Sequence, residues 1–174
     1  MQNYKQLRFY SYTNFYISSI QHGIQTGHAS VDLLQKYRRE FDNAINSEND
    51  SEKVNRIAKA RDNLAVVTDW ADNHKTYVVL NGGDDIGITQ INDLVSKTGF
   101  PFIDFKEPGL GNIRTCVGII LPDEIFTMKR TFVKTEWQPD GFQIFKSEST
   151  DKTVYQSDEL YSFLQFHTSC GLAR

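Results

Sequence analysis

The 174-residue sequence has few cysteines, few prolines and no excess of positive charge. Its two cysteines, Cys116 and Cys170, fall into no Cys-x-x-Cys or cysteine–histidine spacing, so neither a disulfide framework nor a structural zinc site is indicated. We expect no bound metal and no cofactor. The formal net charge of −3 gives the chain no overall basic field for nucleic acid, so any RNA contact has to come from a local patch.

Long apolar runs are also missing. No stretch approaches about 18 consecutive apolar residues, and the opening MQNYKQLRFY does not combine a basic region with an apolar one. The sequence therefore predicts a protein that neither crosses a membrane nor is secreted, and its sparse cysteines favour the cytoplasm. What is present, 39% hydrophobic and 13% aromatic residues, is enough to fold one ordinary domain.

Alternation and apolar runs predict an α/β fold, with a small mixed four-stranded sheet, helices on its faces, and a C-terminal β-hairpin and helix. Strands are predicted at residues 7–12, 76–80, 100–105 and 114–121. The run TYVVL at 76–80 indicates a buried strand, and the longer RTCVGIIL at 114–121 indicates a central one. Helices are predicted from Ser18 or Ser19 to about Ala44, from about residue 50 to Trp70, and over residues 86–97.

The chain changes character after residue 122. The segments TFVKTEW and FQIFKSE flank QPDG at residues 138–141, with proline and glycine at turn positions, which predicts a hairpin. A last helix is predicted from near Ser157, with Asp158 and Glu159 in its first turn, where the helix dipole favours carboxylates. We expect residues 123–174 to form an extension that packs on the preceding domain.

The first predicted helix carries two stripes of residues. The apolar stripe, which we expect to face the core, consists of Ile20, Ile24, Gly27, Val31 and Leu34. The polar stripe, about 100° around the helix, consists of Gln21, Gln25, His28 and Asp32. At 1.5 Å per residue Asp32 lies about 16 Å from Gln21, so one small ligand would reach only the first members of the polar stripe.

Four segments, in this order, resemble the type 2 peptidyl-tRNA hydrolases, small α/β enzymes that hydrolyse the ester joining a peptide to tRNA. They are the strand LRFYSY; Gln25 followed by Gly27-His28-Ala29, which is similar to the family's Q-x-[SG]-H-A; Trp70 shortly before KTYVVL; and GFPFIDF through EPGLGNIRTCVGIIL. The resemblance implies a hydrolase-like domain at residues 1–122, with a helical insertion at about 36–68 and the extension at 123–174 outside it. The alternative is an unrelated α/β domain with a similar first helix.

The resemblance also implies where a reactive site lies. The family has a lysine four residues before the glutamine, an aspartate in a D-A-G-x-T loop, and a threonine that opens the last strand. The corresponding residues, which are the candidate catalytic residues, are Gln21, Glu107 and Thr115. The candidate ligand-binding residues are Ser19, Gln25, His28 and Gly109.

Two of the three expected catalytic groups are altered in this chain. Losing a fixed positive charge is comparable to losing one oxyanion donor, which costs about 10²- to 10³-fold in rate. Replacing aspartate by glutamate moves the carboxylate by one methylene, and a misplacement of about 1 Å can cost about 10²-fold. The original chemistry is therefore weakened, lost or replaced, and the sequence leaves open whether the chain is an enzyme.

Three functions remain open. The first is a divergent peptidyl-tRNA hydrolase, in which Gln21 and Gln25 orient water or the substrate carbonyl and Glu107 is the base. The second is a non-catalytic protein that binds an RNA end or a small nucleotide, with Tyr12, Phe15 and Tyr16 available for stacking on bases. The third is a protein-interaction module, in which the C-terminal hairpin and helix pack on a partner or on a second copy of the chain to form a homodimer.

Each candidate residue also has an ordinary structural explanation. Glutamines on a helix commonly face solvent, and a histidine such as His28 commonly bonds a backbone carbonyl. Glu107 in a Gly/Pro-rich loop can be a surface acid, and Thr115 can be present only because threonine favours strands.

Overall fold

The computed structural model describes residues 6–47, 52–126, 129–133, 142–146, 153–156 and 158–171. The first part of the chain runs β1 (Leu7–Thr13), α1 (Ser19–Asn46), α2 (Lys53–Asp69), β2 (Thr76–Asn81), α3 (Asp85–Val95), β3 (Phe102–Glu107) and β4 (Ile113–Pro122). The second part adds β5 (Lys129–Val133), β6 (Phe142–Lys146), β7 (Thr153–Gln156) and α4 (Asp158–His167). The predicted α/β class is confirmed.

The main sheet has four strands in the order β2-β1-β4-β3. β1 runs parallel to β2, whereas β4 runs antiparallel to both β1 and β3, so the sheet is mixed as predicted. β4 is central and is buried from Thr115 to Pro122. The prediction of a buried strand at 76–80 was wrong for most of its length, because β2 lies at the edge of the sheet and only Leu80 is fully buried.

Apolar side chains pack on both faces of this sheet. On one face Phe9, Leu33 and Trp70 form a cluster beneath α1. On the other face the sheet packs with α3 and α4 in a second cluster that includes Ile91 and Phe163. The two clusters share the same strands, because successive residues of β1 and β4 point to opposite faces.

A glycine in β4 makes the first cluster possible. A Cβ atom on Gly118 would lie 2.1 Å from Cζ of Phe9 on the neighbouring strand. The Phe9 ring is held against Trp70 and Tyr77, with centroid distances of 5.4 and 5.7 Å. Position 118 therefore has no room for a side chain while Phe9 keeps this place.

Helix α1 starts at a well-formed cap. The Ser18 side chain accepts a hydrogen bond from the backbone N–H of Gln21, and the Gln21 side chain accepts one from the backbone N–H of Ser18. This reciprocal pair is a capping box, which satisfies two backbone donors at the helix start. The predicted start at Ser18 or Ser19 is confirmed.

The predicted core face of α1 was wrong. Ile20, Ile24 and Val31 of the apolar stripe are exposed. The stripe that faces the sheet consists of His22, Thr26, Ala29, Leu33 and Tyr37. His22 follows Ile20 by two positions, which is about 200° of helix rotation. The observed buried face is therefore nearly opposite to the predicted one.

The reason for this orientation lies in the strands beneath the first half of α1. There β1 and β4 present hydroxyl and thiol groups rather than apolar side chains, and the hydroxyl groups of Ser11, Thr13 and Thr115 form hydrogen bonds to α1. Buried polar groups need such partners, so the side of the helix that carries His22, Gln25 and Thr26 packs on the sheet.

The C-terminal part agrees with the prediction in outline. β5 and β6 pair antiparallel, as expected for a hairpin, whereas its predicted turn at 138–141 lies outside the described residues. A third strand, β7, was not predicted and pairs with β6. α4 begins at Asp158 and buries Leu160, Phe163 and Leu164 in the second cluster.

Within the parts of the chain that the structure describes, no helix combines the length and the apolar character needed to cross a membrane.

Candidate functional site

The candidate site lies at one edge of the main sheet. β1 ends there at Thr13, which pairs with Asn81 at the end of β2 and with Cys116 near the start of β4. β3 ends at the same edge, at Glu107, which pairs with Ile113. Ligands of open α/β sheets commonly bind outside the carboxyl ends of the strands, which is where this edge lies.

A chain of hydrogen bonds joins three of the predicted site residues. The Thr115 hydroxyl donates to Oε1 of Gln25 at 2.7 Å, and Nε2 of Gln25 donates to Oε2 of Glu107 at 2.9 Å. Because a carboxylate only accepts, it fixes the orientation of the amide between them. The structure therefore brings together Gln25, Glu107 and Thr115, which lie far apart in the sequence.

A β-bulge in β4 directs the Thr115 side chain towards α1. Phe105 pairs with Cys116 and Lys106 pairs with Arg114, so Thr115 is an extra residue with no partner on β3. A bulge re-directs side chains that would otherwise alternate between faces. As a result both Thr115 and Cys116 bond to groups on the α1 side of the sheet.

Glu107 is held at both of its oxygens. Besides the bond from Gln25, Oε1 accepts the backbone N–H of Gly109 at 3.3 Å. Nδ1 of His28 lies 3.5 Å from Oε2, close enough for an ion pair when the imidazole is protonated. The hydrogen bond from Gln25, and after it the one from Gly109, lowers the pKa of Glu107, with a smaller contribution from His28. The carboxylate is thus ionised at neutral pH.

Two predicted site residues lie apart from this chain of bonds. The Gln21 side chain is exposed and is used in the capping box with Ser18, so it does not reach Glu107. Ser19 is exposed at the first residue of α1. Of the seven predicted residues, the structure therefore assembles Gln25, Glu107, Thr115, His28 and Gly109 around one carboxylate.

The sequence prediction missed His22, which is buried next to this group. Nδ1 of His22 lies 2.6 Å from the Thr13 hydroxyl, and that hydroxyl donates to the carbonyl of Leu80 at 3.2 Å. Both bonds form when Nδ1 carries the proton, which leaves Nε2 unprotonated. Burial lowers the pKa of His22, so the ring is neutral at pH 7. The available signal was its spacing, three residues before Gln25 and hence on the same side of the helix.

A second buried chain of polar groups continues under α1. Thr26 donates to the carbonyl of His22 at 2.8 Å, so its single hydroxyl proton is used there. Ser11 then donates to Thr26 at 2.6 Å, and the Cys116 thiol donates to Ser11 at 3.1 Å. Burial raises the pKa of Cys116 to about 12, which keeps the thiol protonated and able to donate.

The guanidinium of Arg114, the residue before Thr115, is already paired. Arg114 donates to both oxygens of Asp104, at 2.6 and 3.0 Å, and to the Thr89 hydroxyl at 2.7 Å. A bidentate pair of this kind holds the guanidinium in place. Within the described residues no cluster of three or more histidine, cysteine or carboxylate side chains has the arrangement of a metal site.

The three aromatic residues proposed for base stacking are in different environments. Tyr12 is fully buried in the second cluster, so it is not available to a ligand. Phe15 and Tyr16 are exposed just before α1, with ring centroids 3.9 Å apart. Of these three residues, Phe15 and Tyr16 are therefore the ones that can present ring faces at the surface.

Comparisons of the chain with protein-family models, with curated proteins and with solved structures found no match.

Proposed function

We propose that this site binds, and slowly hydrolyses, an ester-linked tRNA or related nucleotide, as a divergent peptidyl-tRNA hydrolase-like protein. The observation that carries the proposal is the hydrogen-bonded chain from Thr115 through Gln25 to Glu107. The sequence resemblance named these three positions independently of their contacts. Residues from the first helix, the end of β3 and the start of β4 meet at one ionised carboxylate, which is the kind of group that ester hydrolysis needs.

In the proposed reaction Glu107 acts as the general base. A water molecule attacks the carbonyl carbon of the ester and its proton passes to Glu107. The bond between that carbon and the ribose oxygen then breaks, and the carboxylic acid returns the proton to the departing ribose oxygen, which leaves as a hydroxyl. Gln25 and Thr115 do not touch the substrate in this scheme, because their polar groups hold the carboxylate in place. The backbone N–H groups at the start of α1 favour developing negative charge.

Two features predict a low rate. Hydrogen bonds lower the pKa of Glu107, which makes it a weaker base than an ordinary glutamate. The position that the resemblance assigns to a lysine is Gln21, and its side chain is occupied in the helix cap. The transition state therefore lacks a positive charge that would offset the charge on the carbonyl oxygen.

A peptidyl-tRNA release assay tests this proposal with four proteins. We expect measurable release by the wild type, a loss of at least tenfold in Glu107→Gln, and no change in the control Asp62→Asn, an exposed acid on α2. Gln21→Lys restores the missing cation, and we expect it to raise the rate by up to about 10²- to 10³-fold. Equal rates in the wild type, Glu107→Gln and a protein-free blank would refute the hydrolytic proposal.

The second candidate function is binding of an RNA end or nucleotide without turnover. It is favoured by the hydrogen bonds at both ends of the Gln25 amide and by the use of the Gln21 side chain in the helix cap, since the position that the resemblance assigns to a lysine then holds no cation. Thermal unfolding with short RNA 3′ ends and with mononucleotides distinguishes the two functions. A ligand at 100 times its dissociation constant adds about 2.7 kcal/mol of stability. A shift without release supports the binder, and no shift with any of these ligands contradicts it.

A further inference from the structure

The exposed side of α1 is unusually apolar for a surface helix. The exposed fractions are 77% for Ile20, 48% for Ile24 and 53% for Val31, and just before the helix they are 47% for Phe15 and 70% for Tyr16. We call these five residues the α1 surface. In most surface helices such residues face the core, whereas here the stripe from His22 to Tyr37 occupies that place.

Two glycines form a shallow notch on the same side of the helix. Gly23 lies between Ile20 and Ile24, and Gly27 lies between Ile24 and Val31. A Cβ atom added at either glycine would meet no atom outside the helix's own backbone within 4 Å. Each glycine costs about 1 kcal/mol of helix stability relative to alanine. Helix stability therefore does not explain why two glycines stand four residues apart in α1. A notch of this kind allows a second helix to approach closely.

We propose that the α1 surface is the contact between two copies of this chain, arranged around a two-fold axis. The protruding side chains of Ile20, Ile24 and Val31 lie on the same face of the helix as the glycine notch. The face is therefore complementary to itself, which is the requirement for a symmetric dimer. If the two helices cross antiparallel with Gly27 at the axis, Val31 of one copy lies over Gly23 of the other. Ile20 then lies opposite Leu34.

The size of the surface fits a dimer. The exposed fractions of the five residues together equal about three complete side chains, and at roughly 150 to 200 Å² each the α1 surface amounts to roughly 450 to 600 Å². Specific interfaces bury about 600 to 1,000 Å² on each partner. Exposed apolar patches on monomers seldom exceed this size without a binding function.

The charges favour a second copy over other occupants. The segment 18–35 contains no lysine or arginine, so its side chains offer no fixed positive charge to the phosphates of RNA or to anionic lipid headgroups. Asp32 is the only acidic residue in that segment, so two copies meet with little repulsion. This dimer uses α1 rather than the C-terminal hairpin and helix considered from the sequence.

Sedimentation velocity of the full chain over a range of concentrations tests the proposal. We expect a dimer in the wild type and at least a tenfold weaker association in Gly27→Glu, which fills the notch and places two like charges at the axis. Gly27→Glu has open space around its side chain and removes a helix glycine, so its melting temperature should not fall. The double variant Ile20→Gln/Ile24→Gln should weaken the dimer in the same way.

The control is Val54→Gln, which replaces an equally exposed apolar residue on α2 and should leave the dimer intact. A wild type that stays monomeric up to about 100 μM overturns the proposal, because interfaces of this size reach micromolar affinity or better. A dimer that Gly27→Glu and the double variant leave unchanged also overturns it, since another surface then makes the contact.

Discussion

Single residues at the start of α1 determine how the helix meets the sheet. His22 is buried and bonds to Thr13 through Nδ1, and its position next to Gln25 places it beside the candidate site. An uncharged imidazole suits this place, because a charged ring loses solvation on burial.

We predict that His22 makes the fold sensitive to mild acid. Burial lowers its pKa in the folded state below the ordinary value of about 6.5, so below pH 6.5 the unfolded chain binds the proton more readily. Stability is therefore complete above that pH and falls as the pH drops. In His22→Asn, which can still donate to Thr13, the melting temperature should fall less between pH 7 and pH 5.5 than in the wild type.

Burial also lowers the pKa of His167, so some pH dependence must remain in the variant. Glu107 titrates below this range, because hydrogen bonds lower its pKa from an already acidic value. Identical slopes for His22→Asn and the wild type would show that His22 does not contribute.

Among the strands and helices, β4 is constrained by the close approach of the Phe9 ring to Gly118. Phe9 of β1 fills the space above Gly118, and the ring is fixed by Trp70 and Tyr77. A glycine in a central strand costs stability by itself, so its presence here reflects close packing.

We predict that Gly118→Ala destabilises the protein by about 1 to 3 kcal/mol, because the new methyl group has to displace the Phe9 ring. Urea unfolding measures the change. In a Phe9→Leu background the same substitution should cost clearly less, since the shorter side chain leaves room for the methyl group. Equal costs in the two backgrounds would mean that the contact between positions 9 and 118 is not the cause.

On the scale of the whole molecule, α4 joins the last part of the chain to the main sheet. Phe163 is fully buried and packs edge-to-face on Tyr12, with centroids 6.1 Å apart. His167 bonds to the Tyr12 hydroxyl, and the backbone N–H of Asn81 donates to the carbonyl of Gly171. These contacts lie on the face of the sheet opposite Trp70.

We predict that Phe163→Ala destabilises the sheet as a whole by about 3 to 5 kcal/mol. Trp70 fluorescence should report the loss during urea unfolding although it lies in the other cluster, since a small domain unfolds cooperatively. The experiment uses a Trp137→Phe background, because the chain has two tryptophans. The exposed control Gln165→Ala should change stability by less than about 0.5 kcal/mol. An unchanged Trp70 transition would mean that residues 123–174 unfold separately from the sheet.

The sequence by itself determined the local structure of this protein. Alternation of apolar and polar residues, together with apolar runs, predicted the order of strands and helices except for β7. The apolar length of RTCVGIIL predicted the central place of β4, and the hydroxyl of Ser18 predicted the start of α1. These features depend on near neighbours in the chain, so they can be predicted from spacing and residue type.

Only the tertiary structure decided which face of α1 is buried and which predicted site residues meet. The apolar stripe pointed to Ile20 and Ile24, but hydroxyl groups on the strands selected the opposite face. Thr115 reaches Gln25 through a bulge, and Gln21 turns to the helix cap. Each outcome depends on which polar partner a distant strand offers, because burial is favourable only where a hydrogen bond replaces water.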